Sequence, residues 1–162
     1  EALVLNHGTY DRVPAQDMEM EHLRHTMKAN FEGAVNVWKV VQSHLAPQAN
    51  MVVVSSQLAT RGSPHGADYA ASKAALSTWA RSLALAVGPE GKRVNVLAPG
   101  YVDTDILAGD SDEKRNQRIQ EVPLKRIGTA EDMASIVSFL LSDDAAYITG
   151  SVLHANGGLY LP

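Results

Sequence analysis

The stretch Met51-Val-Val-Val-Ser-Ser56 decides the fold. A short run of apolar, mostly β-branched residues is typical of a strand that is covered on both faces. Comparable patterns recur along the chain, with strands near 2–5, 50–56, 93–98 and 151–154 and helices near 17–46, 67–88 and 129–142. This alternation predicts an α/β fold with a parallel sheet and right-handed crossovers.

The polar, charged segment 106–128 interrupts the alternation. We expect it to be a partly helical excursion over the carboxyl edge of the sheet, where ligands bind in open α/β folds. No repeat, linker or low-complexity stretch divides the chain, so residues 1–162 are expected to form a single domain.

Composition excludes several classes of protein. The net charge of −4 argues against a general nucleic-acid or anionic-membrane binder. Cysteine is absent, which excludes disulfides, a thiol nucleophile and a thiolate metal site, and fits a cytoplasmic protein. No apolar run approaches the roughly 18 to 20 residues that span a bilayer, and the N-terminus lacks the features of a signal peptide.

Tyr69-Ala-Ala-Ser-Lys73 places a phenol and an ammonium on one face of a predicted helix. A free tyrosine, with a pKa of about 10, is a poor acid–base group at neutral pH. A nearby positive charge favours the phenolate and lowers that pKa. The pair is therefore a candidate proton-transfer centre, although the same spacing also arises by chance.

Ser55-Ser56 ends the Val-rich strand, and Asn30 lies on the preceding helix. Together with Tyr69 and Lys73, they resemble the Asn-Ser-Tyr-Lys tetrad of short-chain dehydrogenases/reductases. Three further segments resemble family signatures in the right order: 93–104 with its Pro99-Gly100 turn, 123–128 and 147–158. The last of these is most similar to the 3-oxoacyl-reductase branch, and the resemblance covers essentially the whole chain.

The resemblance implies a Rossmann-type doubly wound parallel sheet, of which this chain would supply the fourth to seventh strands. It also implies a catalytic role for each tetrad residue. Tyr69 would exchange a proton with the substrate oxygen, and Ser56 would hold that oxygen as charge develops on it. Lys73 would lower the pKa of Tyr69 and bind the nicotinamide ribose. Asn30 would bend its helix and hold a water that links Lys73 to solvent.

NADP or NAD is the cofactor that the resemblance implies. Tyr69, Lys73 and five further residues would contact it: Asn6, Pro99, Gly100, Val102 and Thr104. Pro99-Gly100 would let the backbone approach the nicotinamide ring, while the Val102 main chain and the Thr104 hydroxyl would meet its carboxamide.

Each residue also has a structural interpretation. Tyr69 could be a packing residue, Asn30 a surface or capping residue, and Thr104 the cap of the next helix. Gly157-Gly158 is expected to be a turn and not a phosphate loop. His22 and His25 lie three residues apart without a third ligand, which favours a solvated helix face over a metal site.

The family's Thr-Gly-x-x-x-Gly-x-Gly turn, whose backbone N–H groups bind the pyrophosphate, is not found in these 162 residues. The first predicted strand aligns with the family's fourth, and Leu5-Asn6-His7-Gly8 replaces the family's Asn-Asn-Ala-Gly. A similar Leu-Asn-His in the hydroxysteroid branch leaves the substrate class open. We therefore expect an edge strand at 3–5, and expect the chain to be part of a longer polypeptide or to be completed by another chain.

The leading hypothesis is an NAD(P)-dependent oxidoreductase that acts on a small ketone or secondary alcohol, similar to a 3-oxoacyl reductase. The alternative is a non-catalytic fragment or scaffold subunit; a separate anion-binding domain is disfavoured because no Gly-rich phosphate loop exists. Recognition of an acyl carrier would need basic residues. The candidates are Lys92, Arg93, Lys114, Arg115, Arg118, Lys125 and Arg126, although charge runs are usually solvated faces. The resemblance also implies a homo-oligomer, a tetramer or a dimer, with no nucleic-acid or membrane partner.

Overall fold

The computed structural model describes all 162 residues. The strands are β1 (Ala2–Leu5), β2 (Asn50–Val54), β3 (Arg93–Pro99) and β4 (Val152–Ala155). The helices are α1 (Met20–Met27), α2 (Gly33–Val41), α3 (Leu58–Arg61), α4 (Ala67–Val87), α5 (Asp112–Glu121) and α6 (Ala130–Leu141). No helix is long and apolar enough to cross a bilayer.

The four strands form one parallel sheet in the order β1-β2-β3-β4, so each strand pairs with the next one along the chain. The register aligns Leu5 with Val53, Val53 with Val96, and Val96 with Val152. The predicted strands and the parallel sheet are confirmed. As expected, β1 lies at an edge, where Val4 remains 41% exposed.

Successive residues of β2 and β3 pack against different layers, because side chains of a strand alternate between its two faces. Met51 and Val53 belong to the larger core, together with α2 and α4. Val52 and Leu97 face the opposite side, where they pack against Leu140 of α6. The doubly wound arrangement is therefore confirmed, with helices on both faces of the sheet.

The crossovers do not all have the same hand. The sheet grows in one direction from β1 to β4, yet α2 and α4 cover one face and α6 covers the other. Connections on opposite faces of such a sheet have opposite hands, so the expectation of right-handed crossovers throughout is wrong. The β3–β4 connection, residues 100–151, is long and contains two helices, and the handedness preference is strongest for direct strand–helix–strand units.

The helix predicted over 17–46 is interrupted by a π turn at Lys28–Glu32 between α1 and α2. Asn30 lies inside this turn with its side chain fully buried. The π turn is a local irregularity at the position where the family resemblance predicts a bend, and the bend itself stays a prediction. Turns of this type are rare and often occur at functional sites.

The excursion 106–128 is partly helical, as predicted, because α5 lies within it. The Ser111 side chain caps α5 by accepting a hydrogen bond from the backbone N–H of Lys114 at 3.2 Å. The short helix α3 was not predicted. It begins at Leu58, separated by one residue from the Ser55-Ser56 pair that follows β2.

Candidate active site

A cavity of about 410 Å³ opens at the carboxyl ends of β1, β2 and β3. Eight of the nine predicted site residues line it: Asn6, Ser56, Tyr69, Lys73, Pro99, Gly100, Val102 and Thr104. Its remaining wall includes apolar side chains of the excursion and of α6, among them Ile106, Leu107, Met133 and Val137. The volume and the mixture of apolar walls with a few polar groups are typical of small-molecule sites.

The first turns of α4 carry Tyr69 and Lys73 into this cavity. They are one helical turn apart, and only 9% and 4% of their surfaces are exposed. The helix begins after Gly66, whose φ of +123° is one that L residues rarely adopt. A Cβ at Gly66 would lie 2.3 Å from Cε2 of Tyr10, so glycine is needed here for both conformation and space.

Burial raises the pKa of the Tyr69 phenol, and Tyr10 acts in the same direction. The neighbouring Ser56 hydroxyl lowers the pKa as a hydrogen-bond donor, without reversing the net shift. The net shift of the Tyr69 pKa is therefore upward in the protein without ligand, because desolvation of the phenolate dominates. The effect of Lys73 on this pKa stays a prediction. The Lys73 Nζ atom lies 5.8 Å from the centre of the Tyr69 ring.

The Lys73 ammonium is held by main-chain oxygens. Nζ donates hydrogen bonds to the carbonyls of Val54 at 3.0 Å and His7 at 3.5 Å. Burial lowers the pKa of Lys73 to about 8. An ammonium has three N–H donors, so one of them is left over for a ligand in the cavity.

The two serines at the end of β2 have different contacts. Ser56 lines the cavity, and its Oγ accepts a hydrogen bond from the backbone N–H of Leu58 at 3.2 Å. Ser55 instead donates to the carbonyl of Lys73 at 3.0 Å and pairs with the hydroxyl of Ser77 at 2.7 Å. Ser55 thus fastens α4 to the sheet, while the Ser56 hydroxyl faces the site.

Asn30 is the predicted site residue that does not line the cavity. Its Nδ2 donates to the carbonyl of Thr9 and to the Ser72 hydroxyl, both at 3.0 Å. Its Oδ1 accepts from the backbone N–H of Thr9 at 2.7 Å. These bonds exclude the surface interpretation, because the buried side chain ties the loop after β1 to α4.

The turn after β3 supplies the remaining predicted contacts. The Thr104 hydroxyl donates to the Val102 carbonyl at 3.4 Å and makes no capping hydrogen bond to the short turn that follows. A Cβ at Gly100 would lie 2.7 Å from the Cβ of Asn156, so the neighbouring chain already requires glycine at this position. The positive φ angles of Gly157 and Gly158 confirm that this pair forms a turn.

His22 serves as part of the N-terminal capping box of α1, where its Nδ1 accepts from the Glu19 backbone N–H at 3.4 Å. No group of three potential metal ligands occurs in the structure. His22 and His25 are both exposed, as expected for a solvated helix face.

Tyr10, Gln57 and Arg118 are among the cavity-wall residues that were not predicted as site residues. The Tyr10 ring stacks against Tyr69 with 4.6 Å between ring centres, and its hydroxyl donates to the His65 carbonyl at 2.6 Å. Gln57 directly follows Ser56, and its buried Oε1 has no hydrogen-bond partner. The sequence could have indicated Gln57 as a site residue, because it is adjacent to Ser56.

Arg118 belongs to the basic cluster that was interpreted as a solvated face. That interpretation fits Arg115 and Arg126, which form ion pairs with Asp103 and Asp132 outside the cavity wall. It is wrong for Arg118, which is only 8% exposed and lines the cavity.

The sequence of the chain is similar to those of known reductases. The family model described as enoyl-(acyl carrier protein) reductase matches residues 1–160. The chain is 37% identical over 146 residues to the 3-oxoacyl-[acyl-carrier-protein] reductase of Escherichia coli, covering 89% of this chain and 60% of that protein. The Haemophilus influenzae reductase of the same name is 40% identical over 139 residues, with 86% and 50% covered.

Two solved structures from Brucella melitensis share the fold. One is a short-chain dehydrogenase/reductase of the glucose/ribitol dehydrogenase type, with a TM-score of 0.94, 29% identity, and 99% of this chain and 65% of that chain covered. The other is a 3-oxoacyl-[acyl-carrier protein] reductase, with a TM-score of 0.93, 27% identity, and 99% and 63% covered. The chain thus spans about 60% of the length of the relatives it matches.

Proposed function

The chain belongs to the short-chain dehydrogenase/reductase family, in its 3-oxoacyl-reductase-like branch, and on that basis we propose that it carries the catalytic residues of an oxidoreductase. The reaction is hydride transfer between the nicotinamide of NADP or NAD and a ketone or secondary alcohol of the 3-oxoacyl type. The supporting observation is that Ser56, Tyr69 and Lys73 line the same cavity as the turn after β3.

The residues present fit the nicotinamide half of such a cofactor. The Lys73 ammonium keeps one N–H without a protein acceptor, and Pro99, Gly100 and Thr104 line the same cavity. These residues would hold the nicotinamide and its ribose, and Asn6 would contact the cofactor at the end of β1. When bound, the cofactor supplies or accepts the hydride.

Tyr69 acts as the general acid in reduction. Because burial raises its pKa, the phenol is protonated at neutral pH and is in the form that donates a proton to a carbonyl oxygen. Ser56 donates a hydrogen bond to the same oxygen as negative charge develops there. The positive charge of Lys73 then stabilises the phenolate that remains.

Asn30 supports the site from outside the cavity. Its bonds to Thr9 and Ser72 fix the loop after β1 against α4, and this loop supplies the His7 carbonyl that binds Lys73. We also propose a homo-oligomer, as the family resemblance implies; Leu85 of α4 and Val40 of α2 are exposed at 82% and 69% and are candidate contacts.

Tyr69→Phe in the full-length protein tests the assignment. Reduction of acetoacetyl thioester with NADPH or NADH should fall by roughly 100- to 10,000-fold, because the general acid is lost. The thermal midpoint should change little, since the ring keeps its packing. Tyr147→Phe is the matched control, because Tyr147 is fully exposed away from the cavity. Turnover retained by Tyr69→Phe would refute the role of Tyr69 as the general acid, whereas the absence of turnover in the wild-type protein would favour the scaffold alternative.

A further inference from the structure

The charged groups on the cavity wall have one sign. Lys73 and Arg118 contribute two cations, and no aspartate or glutamate lines the cavity. A cation in a largely apolar, half-enclosed space is costly unless an anion accompanies it. The role of Lys73 is accounted for by the proposed reaction, whereas that of Arg118 is not.

Arg118 is held from behind by a single carboxylate. Its Nε and Nη2 donate to Asp110 at 2.5 and 3.3 Å, and 3% of the Asp110 side chain is exposed. The same carboxylate also accepts from Arg12 at 3.0 Å. Two guanidiniums therefore share one carboxylate, and this cluster keeps one net positive charge.

The ring of Tyr101 orients the guanidinium. Arg118 Cζ lies 4.5 Å from the ring centre, a distance typical of a cation–π contact. The nearby carboxylate of Glu121 accepts a hydrogen bond from the Tyr101 hydroxyl at 2.9 Å and forms no ion pair with Arg118. Nη1 of Arg118 makes no hydrogen bond within the protein and is not sealed from solvent.

We infer that Arg118 is a specificity-determining residue that binds an anionic oxygen group of the substrate, a carboxylate or a phosphate. With such a group bound, Arg12 and Arg118 would be paired with two anions, Asp110 and the substrate. A guanidinium with a free edge matches the geometry of a carboxylate and of a phosphate. Substrate selection rests on the proposed function, whereas anion binding by Arg118 does not. The predicted substrate is a carbonyl compound that carries a negative charge.

The test uses the full-length protein, its Arg118→Met variant and Arg115→Met as matched control. Arg115 lies on the same helix, but pairs with Asp103 outside the cavity wall. Asp110 keeps Arg12 as a partner in Arg118→Met, so no carboxylate is left unpaired. Three ketones distinguish the sources of charge: acetoacetate carries a carboxylate, acetoacetyl coenzyme A carries phosphates, and ethyl acetoacetate carries no charge.

Loss of a charge-assisted hydrogen bond should lower kcat/KM by about 10- to 100-fold for the anionic ketone that Arg118 recognises, mainly through KM. Ethyl acetoacetate should be much less affected. A loss confined to acetoacetate identifies a carboxylate, and one confined to the coenzyme A ester identifies a phosphate. Equal effects on all three ketones, or a change in the KM of the nicotinamide cofactor instead, would overturn the inference.

A binding measurement separates this inference from the proposed reaction. Saturation-transfer NMR with acetoacetate, and phosphorus-31 line broadening with inorganic phosphate, should show contact with the wild-type protein and loss of contact in Arg118→Met, even if no ketone is reduced. Equal signals for both proteins would contradict anion binding. Should Arg118→Met fail to fold, Arg118→Lys is the deciding variant. Its ammonium lacks the parallel N–H donors of a guanidinium, so kcat/KM must fall for the anionic ketones and not for ethyl acetoacetate.

Discussion

Lys73 brings an ammonium into a cavity where little of its surface meets water. The cost of desolvation appears in its pKa, which falls to about 8, while the pKa of the adjacent Tyr69 rises for the same reason. The two groups are thus brought toward neutrality by burial more than by each other. Proton exchange at this site therefore depends on how well the cavity excludes water.

The pKa of Lys73 predicts a pH-dependent stability. Between pH 8 and 10.5 the unfolded chain still binds a proton that the folded protein has released, so stability rises with pH. Below pH 8 the folded protein bears the full cost of the buried charge. From pH 7 to 9.5 the free energy of unfolding should rise by about 2 kcal/mol more in the wild type than in Lys73→Met.

Urea denaturation of both proteins at the two pH values measures this difference, and groups that titrate in both proteins cancel. The raised pKa of Tyr69 contributes stability that is lost only as pH rises above 10, outside the window. A parallel pH dependence of the two proteins would show that Lys73 titrates normally in the folded state.

The sequence located Tyr69, Lys73 and Ser56 because spacing on a helix and position at a strand end are local properties. It could not give the direction of the Tyr69 pKa shift, since burial depends on every element that closes over the cavity. Arg118 was missed for a related reason. A basic residue in a charged run carries no signal that distinguishes a solvated face from a cavity wall.

At the scale of elements, the start of α4 depends on contact with the loop after β1. The Tyr10 ring fills the space beside Gly66 and stacks on Tyr69. Pro14 forms an isolated antiparallel bridge with His65, which holds the same two segments together. The orientation of the candidate acid is therefore set by a segment far from it in sequence.

Gly66→Ala should destabilise the protein by about 2 kcal/mol or more, because φ is positive and the new Cβ would overlap Tyr10. Gly109→Ala is the control, in the turn before α5. The φ angle of Gly109 is not positive and nothing lies within 4 Å of the new Cβ, so the substitution should be neutral or stabilise by about 0.5 kcal/mol. Chemical denaturation compares the two; similar effects would show that the strained start of α4 is not limiting.

The positions of β2 and β3 were predictable because both of their faces are buried and their sequences are mostly apolar. The π turn could not be predicted from the local sequence. It is stabilised by hydrogen bonds from Asn30 to Thr9 and Ser72, which form only when the chain has folded. The handedness of the β3–β4 connection could not be predicted either, because the sequence of α6 does not specify which face of the sheet this helix covers.

At the scale of the whole molecule, one cavity accounts for the nicotinamide half of the proposed cofactor and for the substrate. A pyrophosphate requires backbone N–H groups such as those at a Gly-rich helix start, and the 162 residues contain no such strand–turn–helix motif. The adenosine half therefore has no identified site on this chain.

We expect the 162-residue chain by itself to bind NADPH and NADH no more tightly than nicotinamide mononucleotide, because only the shared half of these ligands has contacts. Isothermal titration with the three ligands checks this. Micromolar affinity for either dinucleotide, well above that for the mononucleotide, would reveal a pyrophosphate site within these residues.

The π turn also constrains how this chain can vary in length. It accommodates one residue more than an α-helical turn, so α1 and α2 are rotated relative to an uninterrupted helix. Removing a single residue from 28–32 would restore helical regularity, yet it would turn Asn30 away from Thr9 and Ser72. Substitutions at the exposed Lys28 and Glu32 leave that geometry intact. Homologues that keep the site should therefore differ here in composition but not in residue count.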